Sequence, residues 1–389
     1  MPHATARLDV ASLRTEEFPA LRETTYLNAA SIAPLPERAR AATEAYNRRR
    51  ARVHEMRDDD FEPTLRRARE AAARLVGAEP GEIALTPNTS HGINLAAQCL
   101  PIPAGSVVVA SDWEFPANVY PWMGPGCPAR LELVPADALG RPDEDRIMER
   151  LDRGDVSVFA LSTVQFATGY LADVVKLGRF CRERGIFFVV DAIQAAGQLP
   201  VEVREAEVDV LACGGHKWLC APQGTGFTYV RGELLPRMEP RVVGWMTMPA
   251  CEDLTRVVGY GWELCEEARR FEVSTQPCQD YAAFTASVGL LLEAGPERIR
   301  SHLLEILDPL VRRLRERPEV EIVSDLRPER RSGIFSFRPP EPERVHAALQ
   351  RAGIVTSLRE GAIRLSPHLY NDMEDVDRVA GALARAGVL

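Results

Sequence analysis

Lysine is nearly absent from this chain of 389 residues, whose positive charge comes almost entirely from arginine. Only Lys176 and Lys217 occur. A guanidinium stays protonated in proteins, whereas a lysine amine in an apolar pocket can lose its proton and act as a nucleophile. Lys176 lies in a pattern typical of an amphipathic helix (173–184) and is expected to be solvated. Lys217 is therefore the candidate for amine chemistry.

Patterns that indicate several other protein classes are also missing. The eight cysteines form no C-x-x-C pair and the histidines no H-x-H or H-x-x-x-H, so we expect no metal site. The glycine-rich motifs of nucleotide-binding proteins, G-x-G-x-x-G and G-x-x-x-x-G-K-[ST], do not occur in the sequence, which argues against a nucleotide-binding α/β protein. The longest apolar runs are strand-sized and the first residues lack the apolar core of a secretory signal, so we expect a cytoplasmic protein without a membrane span. A net charge of -9 argues against a nucleic-acid partner.

Short apolar runs alternate with helical patterns from residue 83 onward. Runs without polar alternation are typical of strands buried on both faces, which predicts an α/β domain with a mostly parallel sheet. The predicted strands are 83–86, 106–110, 130–134, 156–162, 186–190, 209–213 and 225–230. After residue 232 we expect two long helices, 279–294 and 296–316. A small α+β segment follows, with strands near 320–324, 333–337 and 362–366 and helices at 342–352 and 373–386. The predicted domains are a large domain over 31–278, a smaller C-terminal domain over 279–389, and an N-terminal segment over 1–30 that packs on the smaller one.

Polar residues follow three of these strands at their carboxyl ends, where open α/β sheets bind ligands. Thr89 and Ser90 begin a helix and suit a phosphate, although both residue types are also ordinary N-caps. Asp191 follows five apolar residues, and a buried carboxylate needs either a cap role or a cationic partner such as the ring nitrogen of pyridoxal 5'-phosphate (PLP). Lys217 follows the next strand in GGHKW. One crossover separates Asp191 from Lys217, so we expect both at the same edge of the sheet.

Together these segments resemble the class V aminotransferase family, a branch of the fold-type I PLP enzymes that includes cysteine desulfurases and isopenicillin N epimerase. The resemblance runs from about Tyr26 to the C-terminus. It rests on the segments NTSHGIN, EFPANVYPW, VVDAIQ, GGHKW, RRFEVST and AIRLSPHLYN. The resemblance implies the fold-type I architecture, with a large PLP-binding domain and a small domain. It also implies that Lys217 carries PLP as a Schiff base.

The resemblance implies a cofactor site assembled from several of these segments. The implied PLP contacts are Thr89, Ser90, Phe115, Gln165, Asp191, Gln194, His216, Lys217 and Thr275. Asp191 is implied to pair with the ring nitrogen, Gln194 with the 3'-oxygen, and Phe115 to stack on the ring where desulfurases have histidine. Gln165 stands where the family often has asparagine, and its role stays open. Thr275 is implied to reach a partner subunit's phosphate, which implies a homodimer with shared active sites.

The resemblance also implies the substrate site and the reaction. Arg364 is implied to bind the carboxylate of an L-amino acid, with Arg359 assisting, and Lys217, displaced from its Schiff base, to take the Cα proton. Desulfurases carry a persulfide-forming cysteine shortly before that arginine, but no cysteine follows Cys278, and Gly214 replaces a usual serine. These departures favour β-elimination of the C–S lyase type. An aminotransferase or an epimerase of the same family stays open, as does a non-catalytic PLP-binding regulator.

Overall fold

The structure is a computed structural model that describes residues 8–57, 61–249, 255 and 258–389. Its α-helices are α1 (Val10–Glu16), α2 (Glu37–Arg50), α3 (Glu62–Val76), α4 (Thr89–Cys99), α5 (Tyr120–Met123), α6 (Glu144–Leu151), α7 (Val174–Glu183), α8 (Cys278–Ala294), α9 (Pro296–Arg315), α10 (Pro342–Arg351) and α11 (Met373–Arg385). Its strands are β1 (Thr25–Tyr26), β2 (Ile83–Leu85), β3 (Val107–Ser111), β4 (Arg130–Val134), β5 (Val156–Ser162), β6 (Phe187–Asp191), β7 (Val210–Gly214), β8 (Gly226–Val230), β9 (Glu321–Ile322), β10 (Phe335–Arg338), β11 (Ile354–Val355), β12 (Ser357–Arg359) and β13 (Ala362–Leu365).

A seven-stranded sheet forms the centre of the described chain, in the order β2-β8-β7-β6-β5-β3-β4. The pairs from β7 to β4 are parallel, and β8 runs antiparallel to both β7 and β2. The inner strands are buried along almost their whole length, which explains why their sequences are apolar without alternation. The predicted α/β class with a mostly parallel sheet is confirmed.

Local sequence signals fix the helix that matters most for the site. Helix α4 begins at Thr89 because the side chain of Asn88 accepts a hydrogen bond of 2.9 Å from the backbone N–H of His91. The N–H groups of the first turn that precede His91 have no acceptor within the helix and point past its end. Gly92 packs against β7 and β8, where an added Cβ would lie 2.6 Å from the Cβ of Ala212. The helix therefore starts immediately above the sheet.

The C-terminal part is an antiparallel sheet of four strands, in the order β12-β13-β10-β9, packed with α9, α10 and α11. The predicted helices 342–352 and 373–386 match α10 and α11 within one residue, whereas the strand predicted at 320–324 is only Glu321–Ile322. Strand β12 was not predicted. It pairs with β13 so that Ser357 stands opposite Arg364, which determines the arginine's surroundings.

The N-terminal segment contacts this C-terminal part. Strand β1 pairs in parallel with β11. Arg14 lies 3.1 Å from a carboxylate oxygen of both Asp372 and Asp375. Helix α8 behaves differently from the other C-terminal helices, since it packs mainly against α2 and α3. The boundary proposed at residue 278 thus separates α8 from the helices on which it packs.

Candidate active site

A cavity of about 280 Å³ lies at the carboxyl ends of β6 and β7 and is closed on one side by β12 and β13. Nine of the residues that the sequence suggested line it: Thr89, Ser90, Phe115, Asp191, Gln194, His216, Lys217, Arg359 and Arg364. Gln165 and Thr275 do not line it. The other lining residues escaped the sequence analysis: Ala30, Ser31, Asn88, Ala117, Phe166 and Ile193.

Lys217 and Asp191 face the same cavity. The carboxyl of Asp191 is buried, and its only hydrogen bond to a described residue is accepted from the N–H of Ile193, at 2.9 Å. Burial raises the pKa of Asp191. Lys217 is half-buried, its Nζ lies 5.4 Å from the ring centroid of Phe115, and it forms no ion pair with a described residue. Desolvation lowers the pKa of Lys217, although the charge of Asp191 opposes this effect.

One end of the cavity is built to receive an anion. Thr89 Oγ1 accepts a hydrogen bond of 3.0 Å from the N–H of Gly214, so its hydroxyl proton is left to donate elsewhere. The start of α4 adds backbone N–H groups and the helix dipole. Gly214 replaces the family's serine in a tight place, because an added Cβ would lie 3.3 Å from Ile193 Cδ1 and 3.4 Å from Thr89 Oγ1. His216 lies beside this end, and burial lowers its pKa, which favours the neutral ring.

Hydrogen bonds on both sides of Lys217 fix its backbone. The carbonyl of His216 accepts from the N–H of Ala33 at 2.9 Å. The carbonyl of Trp218 lies 2.8 Å from Nε2 of the buried His368. Nδ1 of His368 accepts from the N–H of Leu369, so Nε2 carries the proton and donates to Trp218. The lysine is thus held between the N-terminal segment and the loop after β13.

Gln194 belongs to the same framework. Its Oε1 accepts a hydrogen bond of 2.7 Å from the indole N–H of Trp218. Its Nε2 donates to the carbonyl of Ala30 at 3.0 Å. Because the carboxamide is held at both ends, the side chain keeps a single orientation at the cavity wall.

Arg364 is the most unusual cation in the site. It is 1% exposed and forms no ion pair with a described residue. Three of its N–H groups donate to neutral oxygens: Nε to Ser357 Oγ at 3.1 Å, Nη1 to the carbonyl of Phe166 at 2.7 Å, and Nη2 to Ser31 Oγ at 2.7 Å. Burial and the nearby charge of Arg359 lower the pKa of Arg364 to about 9. A buried guanidinium without an acid is costly unless a ligand supplies the negative charge.

The side chain of Gln165, which the resemblance implies as a cofactor contact, is hydrogen-bonded to loop backbone. Its Nε2 donates to the carbonyl of Trp113 at 2.7 Å, and its Oε1 accepts from the N–H groups of Ala167 and Thr168, both at 2.7 Å. The side chain therefore ties the segment that carries Phe115 to the one that carries Phe166. Those two rings meet edge to face, with centroids 5.3 Å apart, on the cavity wall.

A family model described as aminotransferase class-V matches residues 25–379 of the chain. The chain belongs to this family. It is a PLP-dependent enzyme of fold type I, so the predicted family, fold and cofactor are confirmed. No helix in the described ranges is long and apolar enough to cross a bilayer.

Two curated relatives show where the chain stands within the family. A probable cysteine desulfurase of Methanothermobacter thermautotrophicus is 30% identical, over 95% of this chain and 98% of the relative. The isopenicillin N epimerase of Streptomyces clavuligerus is also 30% identical, over 92% of this chain and 93% of its own. The enzyme is therefore desulfurase-like or epimerase-like.

Two solved structures resemble the whole chain. The apo structure of a cysteine desulfurase from Thermococcus onnurineus superposes with a TM-score of 0.87 and 25% identity, covering 99% of each chain. The cystine C–S lyase C-DES, solved with its product cysteine persulfide, superposes with a TM-score of 0.84. At 24% identity, over 95% of this chain and 98% of that one, the second likeness shows the shared fold.

Proposed function

We propose that this enzyme binds an L-amino acid at PLP held by Lys217 and eliminates a substituent from the β-carbon, a C–S lyase-type reaction without a persulfide cysteine. One observation carries the proposal. The amine of Lys217 opens into a cavity that also contains the buried carboxyl of Asp191 and the buried guanidinium of Arg364, and neither forms an ion pair with a described residue.

The groups around the cavity fit PLP at both of its charged ends. Asp191 is a buried carboxyl with an open oxygen, which suits a protonated ring nitrogen. The hydroxyls of Thr89 and Ser90, together with the free N–H groups at the start of α4, suit a phosphate. The other proposed cofactor contacts are Gln194, His216 and the ring of Phe115.

When bound, the cofactor supplies an electron sink for the bonds at the substrate's Cα. Arg364 has one N–H left on each Nη after its three protein contacts, and its charge and these two donors suit a carboxylate. With the carboxylate held there, Cα lies within the same cavity as Lys217. The lysine amine takes the Cα proton, and its lowered pKa, about 8, makes the neutral amine that acts as the base more accessible than in an ordinary lysine.

The connection from β12 to β13 supports elimination over sulfur transfer to the protein. Glu360 and Gly361 join the two strands as a two-residue turn, with φ of 45° and 72°. A turn this short leaves no loop on which a cysteine could reach the cavity, and no cysteine follows Cys278 in the sequence. The leaving group is therefore proposed to depart to solvent.

Epimerisation is the second candidate, favoured by the relative from Streptomyces clavuligerus. It would begin with the same proton transfer to Lys217 but would return a proton to the opposite face of Cα. The cavity offers His216 as a further titratable group, and its lowered pKa leaves it neutral near pH 7. The two reactions differ in their products, since only elimination releases a keto acid and ammonia.

The lysine pair provides a matched test of cofactor attachment. We expect Lys217→Ala to lose the visible absorption band of the lysine-bound cofactor completely. Lys176→Ala should keep that band, because Lys176 is a half-exposed helix residue that lies 3.7 Å from Asp145. A Lys217→Ala protein with an unchanged band would refute the assignment.

The reaction itself is tested with a panel of L-amino acids and no keto-acid acceptor. Elimination predicts stoichiometric keto acid and ammonia over many turnovers. Transamination predicts one turnover and conversion of the cofactor to its amine form. Epimerisation predicts loss of optical rotation and solvent deuterium at Cα without keto acid. Tight cofactor binding with none of these outcomes would instead support a PLP-binding regulator.

We further propose that the enzyme is a homodimer whose sites are shared. Thr275 is exposed and does not line the cavity of its own subunit. The described residues of the preceding segment, 242–262, expose several large apolar side chains. An exposed apolar surface of this kind is typical of an interface.

A further inference from the structure

Two arginines line the cavity, at different depths. Arg364 is buried, whereas Arg359 is half-buried at the rim. Two other buried arginines have acids: Arg69 lies 2.7 Å from Glu272, and Arg150 lies 2.6 Å from Glu132. Arg270 has no acid among the described residues, but its N–H groups donate to three backbone carbonyls. Neither cavity arginine has an acidic partner among the described residues. The site therefore holds two positive charges that protein groups leave uncompensated.

One carboxylate is enough for the deeper arginine. Three of the five N–H groups of Arg364 donate to Ser357, Phe166 and Ser31, and the remaining two suffice for the two oxygens of a single carboxylate. The α-carboxylate of an amino acid supplies one negative charge. It compensates Arg364 and leaves the charge of Arg359 without a counterpart.

Arg359 keeps most of its donors free. Its Nη1 donates to the carbonyl of Leu358 at 2.8 Å, and its Nη2 donates to Ser31 Oγ at 3.2 Å. Three N–H groups remain. Among the described residues that line the cavity, Lys217 and His216 are the other basic groups and Asp191 is the only acid. If Asp191 pairs with the cofactor ring, no acid in the cavity is left for Arg359.

The hydroxyl of Ser31 links the two guanidinium groups, and their hydrogen bonds orient it. Its Oγ accepts from Nη2 of both Arg359 and Arg364. With both lone pairs used, the hydroxyl proton of Ser31 is free to donate into the cavity that the residue lines. Because both guanidinium groups donate to the same oxygen, they lie beside one another. A hydroxyl donor between two such groups forms a site for oxygen anions.

We infer that the substrate carries a second anionic group on its side chain, which Arg359 binds with help from Ser31, while Arg364 holds the α-carboxylate. This inference rests on the proposed function, since it names the substrate class of that site. For a β-eliminating enzyme, the class is L-amino acids whose β-substituent ends in a carboxylate or a similar oxyanion. Arg359 then determines specificity without touching the reacting bonds.

Matched ligand pairs test the inference. S-carboxymethyl-L-cysteine and its amide, S-carbamoylmethyl-L-cysteine, have nearly the same shape and differ in the second negative charge. L-aspartate with L-asparagine, and L-glutamate with L-glutamine, are further pairs. Spectral titration of the holoenzyme gives Kd, and keto-acid release gives kcat and KM. We expect the wild type to bind at least one acid tenfold or more tightly than its amide.

Variants assign that preference to a residue. Arg359→Gln should reduce the acid-to-amide ratio to about one while the amide keeps its Kd, and Arg359→Lys should retain part of the preference. Ser31→Ala should lower the ratio less. Arg351→Gln, on the exposed end of α10, is the matched control and should change nothing. A visible cofactor band in every variant shows that each has folded.

Two results would overturn the inference. One is a wild type that binds every amide as tightly as its acid. The other is an Arg359→Gln protein that loses acids and amides equally, because Arg359 would then share the α-carboxylate with Arg364. If the proposed function is wrong, no amino acid of either kind alters the spectrum. That result differs from both of these, and it would also overturn this inference.

Discussion

Burial sets the chemistry of single residues in this site. Desolvation favours the neutral forms of Asp191 and Lys217, whereas the charge of each residue favours the charged form of the other. Arg364 shows the same effect, although a guanidinium with a pKa of about 9 is still mostly protonated at pH 7. Its charge therefore stays available for an anion, whereas the amine of Lys217 becomes available for bonding.

The pH dependence of Lys217 follows from its neighbours. In the protein without cofactor, the charge of Asp191 raises the lysine's pKa and opposes desolvation. Asp191→Asn removes that charge, so the pKa should fall further and the neutral amine should appear at lower pH. We expect the midpoint to move down by roughly 1 pH unit. Brief acetylation at a series of pH values, quantified by mass spectrometry, measures it.

Lys176 is the internal standard for this experiment, because it is the only other lysine and should react with the same midpoint in both proteins. A midpoint for Lys217 that rises in Asp191→Asn would contradict the assigned electrostatics. An unchanged midpoint would mean that Asp191 is already protonated over the whole range.

The residues that the sequence reveals without the family resemblance share one property: they follow strands whose ends the apolar runs define. Asp191 and Lys217 are of this kind. Ser31 and Phe166 lie on loops, and only tertiary packing brings them to the cavity. No local pattern marks them. The sequence singles out Gln165, but its position could not reveal that its carboxamide forms hydrogen bonds with loop backbone.

At the scale of elements, the loop of residues 165–171 joins the two halves of the site. Carbonyls along it accept hydrogen bonds from hydroxyls of the C-terminal part, namely Ser336, Ser324 and Ser332. Gly169 lies so close to that part that an added Cβ would be 2.3 Å from the carbonyl oxygen of Ile334. The loop is thus held by the small sheet and in turn holds Phe166 against Phe115.

Gln165 is the internal support of this loop. Gln165→Ala removes one donor and an acceptor shared by three groups, leaving buried N–H groups unsatisfied. We expect the free energy of unfolding to fall by at least about 2 kcal/mol, measured by urea denaturation. Substrate binding should weaken because Phe166 moves, whereas the spectrum of the bound cofactor should not shift.

Gln276→Ala is the control, since the side chain of Gln276 makes one hydrogen bond of 3.3 Å at the surface. A cofactor spectrum that shifts in Gln165→Ala, with stability unchanged, would favour the direct cofactor contact that the family resemblance implies for Gln165. The two roles are therefore separable by experiment.

Helices and central strands were predictable because periodicity and length determine them locally. The sequence located α10 and α11 to within a residue. Strands β1, β11 and β12 have two or three residues each and exist only because a partner strand lies beside them. Pairing between distant segments has no local signal, so strand β12, which carries Arg359, escaped prediction.

At the scale of the whole molecule, one stretch of chain exposes several large apolar side chains. Tyr260 is 92% exposed and Trp262 is 74% exposed, and Val242, Val243 and Trp245 belong to the same stretch of chain. Covering large aromatic side chains is favourable by the usual hydrophobic term. A second copy of the chain is the partner that the family resemblance and the position of Thr275 suggest.

Hybrid dimers test whether Thr275 serves the partner's site. A subunit with Lys217→Ala has no cofactor band, so only its partner is observed. In one hybrid, the partner is wild type and the silent subunit also carries Thr275→Val. In the other, the silent subunit carries Lys217→Ala alone and the observed partner carries Thr275→Val.

A shared site predicts weakened cofactor binding, by tenfold or more, in the first hybrid and normal binding in the second, because the threonine that matters belongs to the silent subunit. The reverse pattern would place Thr275 in its own subunit's site, and a monomer by light scattering would exclude sharing altogether.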